Sequence, residues 1–340
     1  MQIYLGGTNV TQLVTDVSTT GSRKECARTL RASIVQSPAD NNLPVVKVSN
    51  GMPVAMQADG QYFAGMVFSY SSSTASNKID FIAKDHGIFI KRNKITYKVK
   101  KLTAEAAAAD ICAEYGMPVG NLAPTGFVFS RNFMGVSMYD AIMTGYALAA
   151  AENEKKYQLL MEGTSVSIIE RGSYIAAAIA EGENLIEASY SESIENMVNQ
   201  VDIYGKDGKL KQPVTGDTSY GIMRDQVVLT NKEDGVAKAE QMIRDHGMTR
   251  SGSVRNIGNA ACVAGAAVMI RESFTGLWGK FCIESDTHNW KSGTYTNTLT
   301  LAWENTMDAK AAGAELKKGK SRPKGTAQFV DPEGNPYVWD

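Results

Sequence analysis

Alternating apolar and polar residues, interrupted by turn residues, run through the first hundred positions of the chain. In residues 29–35 leucine, alanine and isoleucine alternate with arginine and serine, which is the period of a strand with one buried face. An Asn-Gly pair at 50–51 and an Asp-Gly pair at 59–60 lie beside apolar runs, and both pairs favour tight hairpin turns. Short strands with frequent turns are typical of sandwiches and barrels. The pattern predicts a β-barrel or a β-sandwich over residues 1–98.

The spacing of apolar residues changes to a helical period after position 103. In residues 104–115 the apolar side chains fall on one face at the spacing of an α-helix. Thr103 is placed to cap the start of this helix, and Gly116 is placed to end it. A second helix is predicted over residues 137–151, and a hairpin follows it. The sequence therefore predicts an α+β domain over residues 99–170.

Strands return after position 171, and one helix interrupts them. Residues 231–247 have a helical pattern that ends at a glycine. Residues 295–303 place three threonines on one face and tyrosine, leucine and tryptophan side chains on the other. These segments predict a second β-rich region from about residue 172 to residue 304, interrupted by one helix. The fold class is α+β, dominated by strands.

The composition is that of a folded protein with almost no net charge. The chain has 340 residues, of which 43% are hydrophobic and 21% are charged, and its formal charge is −1 from 35 basic and 36 acidic residues. This length is sufficient for several domains. A general nucleic-acid-binding protein is usually distinctly basic, so the charge balance argues against that class.

Cysteine usage and hydropathy indicate a chain made in the cytoplasm. The four cysteines are widely scattered and form no Cys-x-x-Cys pair, a pattern of reduced thiols rather than of disulfides or zinc ligands. The first residues lack the basic and apolar regions of a signal peptide. The most apolar run, at 260–270, is too short to cross a bilayer. We expect a soluble chain with no metal, no cofactor and no stable membrane insertion.

Candidate catalytic chemistry is sparse. The chain has no Gly-x-Ser-x-Gly, P-loop or His-Glu-x-x-His motif, so no catalytic residue is assigned. Glu284, Asp286 and His288 alternate in an extended segment and could share one face, where they could hold a metal or form an acid/base pair. The alternative is that these side chains satisfy backbone groups near the end of a strand.

The final segment, residues 306–340, has a different composition. Its stretch KKGKSRPKG at 317–325 is basic without a compensating acid, and the segment ends in a turn-rich aromatic stretch. Such a tail is either a solvated terminus or a docking arm for a neighbouring subunit. The candidate docking residues are Lys317, Lys318, Lys320, Arg322 and Trp339.

Several long motifs resemble one family of phage-derived proteins. They are FAGMVFSYS at 63–71, LTAEAAAADIC at 102–112, YSESIENMVNQVDIYGKDGK at 190–209 and FCIESDTHNWKSGTYTNTLTLAWE at 281–304. Together they resemble the XkdQ/YqbQ family, which comprises tail proteins of PBSX-like defective prophages, contractile phage tails and phage-tail-like bacteriocins. The resemblance runs in unbroken order over roughly residues 1–305, and no motif in the basic tail matches the family.

The resemblance implies a baseplate hub protein, similar to the hubs of Mu-like and T-even phages and to the N-terminal part of type VI secretion spike proteins. In such hubs two barrels related to the tail-tube fold are joined by smaller α+β domains. The resemblance therefore implies a first β-barrel over residues 1–98 and a second β-barrel split between residues 171–215 and 252–305, with a helical insertion at 216–251. Three copies form an adaptor between a six-fold tail tube, or a tube-initiator protein, and a three-fold central spike. The implied hub also contacts neighbouring baseplate and tape-measure proteins. In a true phage DNA passes through its central channel as cargo.

The family resemblance also implies where the protein acts and which residues make contacts. The particle would be assembled in a bacterium and released by lysis. The segment at 190–201 would begin the second barrel, with Asn196 and Asn199 bonded to backbone groups at a turn or a ring contact. Asp286 and His288 are further candidates for a subunit contact or for the start of the barrel.

Two other function classes are compatible with a β-rich tail protein. A tail-associated peptidoglycan hydrolase would use Glu284, Asp286 and His288. A glycan-binding module would need aromatic side chains in exposed loops, whereas the tryptophans here are more easily interpreted as core, turn or tail residues.

Overall fold

The computed structural model describes residues 1–36, 45–73, 75–229 and 234–316. In these ranges strand residues far outnumber helical residues, which confirms the β-dominated fold class. None of the helices described has the length and apolar character needed to span a bilayer.

Residues 2–85 form a first β unit of antiparallel strands, which the short helix α1 (Gly87–Arg92) follows. Its strands are β1 (Gln2–Leu5), β2 (Thr8–Asn9), β3 (Val14–Ser22), β4 (Glu25–Val35), β5 (Pro53–Ala58), β6 (Gln61–Ser73) and β7 (Lys78–Asp85). Alternate apolar side chains of these strands are buried together. The most deeply buried members of this core include Ile3, Leu30, Ile34 and Phe81.

Residues 94–170 form an α+β unit with its own apolar core. Its elements are β8 (Lys94–Thr103), α2 (Ala104–Glu114), β9 (Val119–Leu122), β10 (Val128–Ser137), α3 (Met138–Asn153), β11 (Tyr157–Glu162) and β12 (Ser165–Glu170). The Thr103 hydroxyl accepts a hydrogen bond from the backbone N–H of Ala106 at 3.3 Å. This bond satisfies one of the free N–H donors at the start of α2, so the predicted N-cap at Thr103 is confirmed.

Residues 175–302 contain a second β unit and a smaller insertion unit. The strands of the second β unit are β13 (Ile175–Ala180), β14 (Leu185–Ser193), β18 (Thr249–Ile257), β19 (Ala267–Arg271), β20 (Trp278–Lys291) and β21 (Thr294–Ala302). The insertion unit consists of β15 (Gln200–Tyr204), β16 (Leu210–Thr215), β17 (Arg224–Val228) and α4 (Gly235–Asp245).

The two β units share one sheet. Its strand order is β14-β18-β21-β20-β3-β4-β7-β6-β5-β1-β2, with β19 also paired to β20, and β13 to β19. The link is the antiparallel pair β20–β3, which runs from Ser285 opposite Ser22 to Lys291 opposite Asp16. No strand pair among the described residues closes either unit into a ring. The two separate tail-tube-like barrels therefore stay a prediction.

The insertion unit is larger than its predicted range. The prediction assigns residues 200–215 to the second barrel, but β15 and β16 instead pair with β17 in a separate three-stranded sheet. The core of this sheet consists of Val201, Ile203, Val227 and Ala239 of α4. Since β15 is the central strand and supplies two of these four residues, the apolar core that α4 covers depends on it.

The chain leaves the second β unit and returns to the α+β unit. Residues 314–315 form β22, which pairs with β10. The Tyr139 hydroxyl donates to Asp308 at 2.9 Å, and the Ala312 N–H donates to the Thr144 hydroxyl at 2.9 Å. The first part of the predicted basic tail, up to residue 316, is thus docked on the α+β unit rather than solvated.

Candidate functional site

The candidate residues on β20 lie where the first and second β units meet. A register shift between Ile283 and Ser285 interrupts the pairing of β20 with β21 and forms a bulge at Glu284. Beyond the bulge the strand alternates regularly, so the side chains of Asp286 and His288 are both buried. Asp286 and His288 are therefore brought together, and Glu284 points to different partners.

Asp286 is the centre of a buried ion pair between the units. The Arg28 guanidinium of β4 donates to both of its carboxylate oxygens, and the Ala264 N–H donates to Oδ1 at 2.6 Å. Burial alone would raise the pKa of Asp286, but the charge of Arg28 and the hydrogen bond from His288 hold it below its ordinary value. The carboxylate remains charged because it is paired.

His288 is hydrogen-bonded through both of its ring nitrogens. Its Nδ1 lies 2.7 Å from the Tyr295 hydroxyl and 2.8 Å from the Asn297 amide nitrogen. Its Nε2 lies 3.2 Å from Asp286 Oδ2, so a proton on Nε2 can donate to that carboxylate. These partners fix the orientation of the ring.

The first β unit contributes further groups to this network. Gln61 of β6 donates to the Ala260 carbonyl at 3.2 Å, accepts from the Thr19 hydroxyl at 3.2 Å and lies 3.2 Å from His288 Nε2. Trp290 donates from its indole nitrogen to Asp59 at 2.8 Å. The contacts of Gln61 with Ala260 and His288, and that of Asp59 with Trp290, join residues more than 190 positions apart, so they hold one unit against the other.

An aromatic stack covers the junction. The rings of Trp290 and Tyr295 lie 4.6 Å apart between centroids at 6° between planes, and the His288 ring lies about parallel to both. Parallel rings at this distance bury a large apolar area beside the polar network. The stack keeps water from the Asp286–His288 pair, whose side chains have no exposed surface.

Glu284 ties the α+β unit to the same place. Its carboxylate accepts from Arg23 Nε at 2.8 Å and lies 3.6 Å from a nitrogen of Arg171, whose side chain is fully buried. Arg171 also donates to Gln158 and to the Ile283 carbonyl. Burial lowers the pKa of Arg171 below its ordinary value, and Glu284 opposes that effect. The first β unit, the second β unit and the α+β unit thus meet at one cluster of polar side chains. We call this cluster the polar junction; it is built from Arg28, Asp286, His288, Glu284 and Arg171.

The side chains of the polar junction are bonded as in a structural contact between units and not as in a reactive site. Asp286 is saturated by donors, and neither it nor His288 reaches solvent. Across the described parts of the chain, no three His, Cys, Asp or Glu side chains are grouped so that they could hold a metal. A cavity of about 440 Å³ lies beside Arg28, between Gln61 and Gln158, and residues of all three units line it.

Asp286 and His288 are predicted as candidates for a subunit contact or for the start of the second barrel. Both side chains are fully buried within one chain, and their part in a subunit contact stays a prediction. Alternation along β20 places the two residues on the same side of the strand. The partners Arg28 and Gln61 carry no local signal in the sequence, because they lie more than 220 positions away.

The two asparagines of the 190–201 segment have different surroundings. Asn199 is buried, and its amide donates to the carbonyls of Asp217 and Gly221 at 2.8 Å while its oxygen accepts from the Met223 N–H at 2.8 Å. The predicted bonding of Asn199 to backbone groups at a turn is therefore present, but it lies in the insertion unit. Asn196 lies exposed in a turn, and its role in a subunit contact stays a prediction.

Replacing Asn199 with alanine is expected to loosen the 217–223 loop. The change leaves two carbonyls and one N–H without their partner, and each buried polar group left unpaired costs about 1–3 kcal/mol. Hydrogen exchange at the Met223 amide measures the effect directly, and faster exchange is expected. Asn196→Ala is the matched control and should leave this exchange rate unchanged; equal rates in both variants would contradict the role of Asn199.

The five candidates of the basic tail lie outside the described residues. Lys317, Lys318, Lys320, Arg322 and Trp339 therefore stay predictions as docking residues.

Comparison with known proteins identifies the family. The model of the family described as YQBQ-like matches residues 17–302, and the chain belongs to this family. The Bacillus subtilis phage-like element PBSX protein XkdQ is 23% identical over 306 residues, which cover 86% of this chain and 93% of XkdQ. The resemblance seen in the sequence motifs is confirmed.

Solved structures share the fold. The 43 kDa tail protein of prophage MuSo2 from Shewanella oneidensis superposes with a TM-score of 0.65 at 15% identity, covering 88% of this chain and 97% of the tail protein. The Escherichia coli c3393 protein, a type VI secretion component described as similar to T4 bacteriophage tail proteins gp27 and gp5, has a TM-score of 0.51 at 8% identity. That superposition covers 93% of this chain and 79% of the c3393 protein. At these identities the likeness concerns the fold.

Proposed function

We propose that this protein is the structural baseplate hub of a contractile tail or a tailocin. Three copies form an adaptor that joins the six-fold tail tube to the three-fold central spike and encloses the central channel. The main support is the fold shared over 97% of the length of a prophage tail protein. Membership of the family that includes XkdQ, a protein of a phage-like element, supports the same assignment.

The two β units give the symmetry argument for this role. A trimer with two similar β units per chain presents six quasi-equivalent positions to a tube and three to a spike. Each unit is proposed to act as one tail-tube-like barrel. The six positions remain regular only if the two units keep a fixed relation, and both the β20–β3 pair and the polar junction hold them together.

The protein is proposed to act without catalysis. A hydrolase needs a carboxylic acid and a base that reach the substrate, whereas the side chains of Asp286 and His288 are fully buried. The partners are the tail tube or tube-initiator protein, the central spike, and neighbouring baseplate and tape-measure proteins. The chain is made in a bacterial cytoplasm, is assembled into the particle and leaves the cell on lysis.

Mass photometry of the purified full chain tests this proposal, alone and mixed with the spike protein of the same particle. A trimer is expected in at least one condition. A monomer in both conditions would contradict the hub assignment. A zymogram on peptidoglycan serves as the second arm. A clearing zone that disappears in His288→Ala would favour the hydrolase instead.

A further inference from the structure

One side of the shared sheet carries hydroxyl groups across both β units. In the antiparallel pairs, Thr287 of β20 lies opposite Thr298 of β21 and Thr20 of β3. One step along, Asn289 lies opposite Thr296 and Ser18. Residues directly opposite each other project from the same side of a sheet. These side chains therefore form one continuous polar row across three strands.

The row continues in both directions. Toward the second β unit, Thr300 lies opposite Ser253, and Ser253 lies opposite Ser189 of β14. Toward the first β unit, Ser33 of β4 lies opposite Asp80 of β7, and Asp80 lies opposite Ser71 of β6. We call this side of β14, β18, β21, β20, β3, β4, β7 and β6 the hydroxyl face.

The other side of the same strands is the core. Leu299 lies opposite Val254, and Leu30 lies opposite Ala83, and all four side chains are buried. Two grooves lie on the polar side. A groove of about 680 Å³ runs over Ser18, Asn289 and Thr298, and a second groove of about 480 Å³ runs over Ser33 and Ser71.

Charged side chains of opposite sign lie next to each other on the hydroxyl face. Asp16 lies directly opposite Lys291, and Glu187 lies directly opposite Arg255. Opposite charges in such cross-strand positions attract each other. Arg31 and Lys84 also project from this face, opposite Ile82 and Thr29, and short neutral hydroxyls fill many of the remaining positions.

The composition of the hydroxyl face differs from that of protein interfaces. Interfaces are enriched in aromatic, methionine and arginine side chains and depleted in serine. Ile257, opposite Thr296, is an exposed apolar side chain on this face. The most exposed apolar side chains of the described residues lie elsewhere, Phe274 at 96% exposure and Trp278 at 68%, on the β19–β20 hairpin. That hairpin has the composition expected for contact with a partner, and the hydroxyl face has the composition expected for contact with water.

We propose that the hydroxyl face is the wall of a water-filled channel enclosed by copies of this chain. This assignment rests on the proposed hub function and names the residues that face the lumen. A wall rich in short hydroxyls and with paired charges gives a passing polymer little apolar surface to bind. The hydroxyl face turns inward, and the β19–β20 hairpin makes contacts outside the channel.

Cysteine labelling of the assembled particle tests the assignment. Thr300 and Ser189 are exposed on the hydroxyl face, and Lys206 is exposed at the tip of the insertion-unit hairpin. The native cysteines are buried, so the unsubstituted chain gives the background. The variants Thr300→Cys, Ser189→Cys and Lys206→Cys are treated with N-ethylmaleimide or with a maleimide carried on a folded protein, both as isolated chain and in particles.

In the isolated chain all three variants are expected to react with both reagents. In particles, the two hydroxyl-face cysteines should keep their reaction with N-ethylmaleimide and lose it with the protein-borne reagent, while Lys206→Cys keeps both. Reaction of the face with the protein-borne reagent would place it outside the particle and overturn the inference. Protection from both reagents would make it a packed interface and also overturn it. Either result leaves the hub assignment standing, whereas absence of the chain from particles removes both.

Discussion

Replacing Asp286 with alanine is expected to lower the free energy of unfolding by about 3–5 kcal/mol, because breaking a buried ion pair leaves its partner charge buried without compensation. Arg28 would lose its counter-ion and His288 would lose a hydrogen-bond partner of its Nε2. Denaturation in urea, followed by circular dichroism at neutral pH, measures the change. Near-ultraviolet spectra report in addition on the Trp290–Tyr295 stack beside the junction.

Two variants separate this effect from a general loss of charge. Asp286→Asn keeps an oxygen that accepts from the Ala264 N–H and should lose less stability than alanine. Glu192→Ala breaks the exposed pair with Arg250 and should change stability little, because exposed ion pairs are screened by solvent. If Asp286→Ala and Glu192→Ala lowered stability equally, Asp286 would not be the centre of the junction.

Features with local causes could be predicted from the sequence. The Thr103 cap depends on a side chain and an N–H three residues apart, and strand alternation depends on neighbours two residues apart. Both signals lie inside one element. For the same reason alternation along β20 predicts that Asp286 and His288 lie on the same side of the strand.

Features that depend on distant partners could not be predicted. The pattern at 200–215 indicates a hairpin but not its sheet, and the deciding partner is β17, which joins β15 in parallel after a long connection. The bulge at Glu284 cannot be seen in the alternating sequence pattern, yet it turns the Glu284 carboxylate toward Arg23 and Arg171. Arg28 lies 258 positions from Asp286, and nothing near it in the chain marks it as a partner.

Titration of Asp85 is expected to make the first β unit less stable as the pH rises. Asp85 ends β7, where its carboxylate accepts from the N–H groups of Arg28 at 3.0 Å and Gly87 at 2.9 Å. Burial raises the pKa of Asp85 to about 6, and these hydrogen bonds together with the charges of Arg28 and Lys84 only partly oppose it. The folded chain therefore binds this proton more tightly than the unfolded chain does.

The sign of the pH effect follows from that difference. The contribution of protonated Asp85 is fully present below the pKa of an unfolded aspartate, and it is lost as the pH rises through about 6. Each unit of pKa difference corresponds to about 1.4 kcal/mol, so the loss is on the order of 3 kcal/mol between pH 4 and pH 7. Urea denaturation of the unsubstituted chain and of Asp85→Asn over this range measures it.

Asp85→Asn stays neutral throughout, so its stability relative to the unsubstituted chain should rise from pH 4 to pH 7. Glu105→Gln is the control of opposite sign. Burial alone would raise the pKa of Glu105, but the hydrogen bonds from Thr125 and Gly126 lower it below its ordinary value. Its contribution is therefore present above the pKa of an unfolded glutamate and lost as the pH falls, so the relative stability of Glu105→Gln should decrease as the pH rises. Parallel profiles for the two variants would show that burial of Asp85 does not govern the pH dependence of the first β unit.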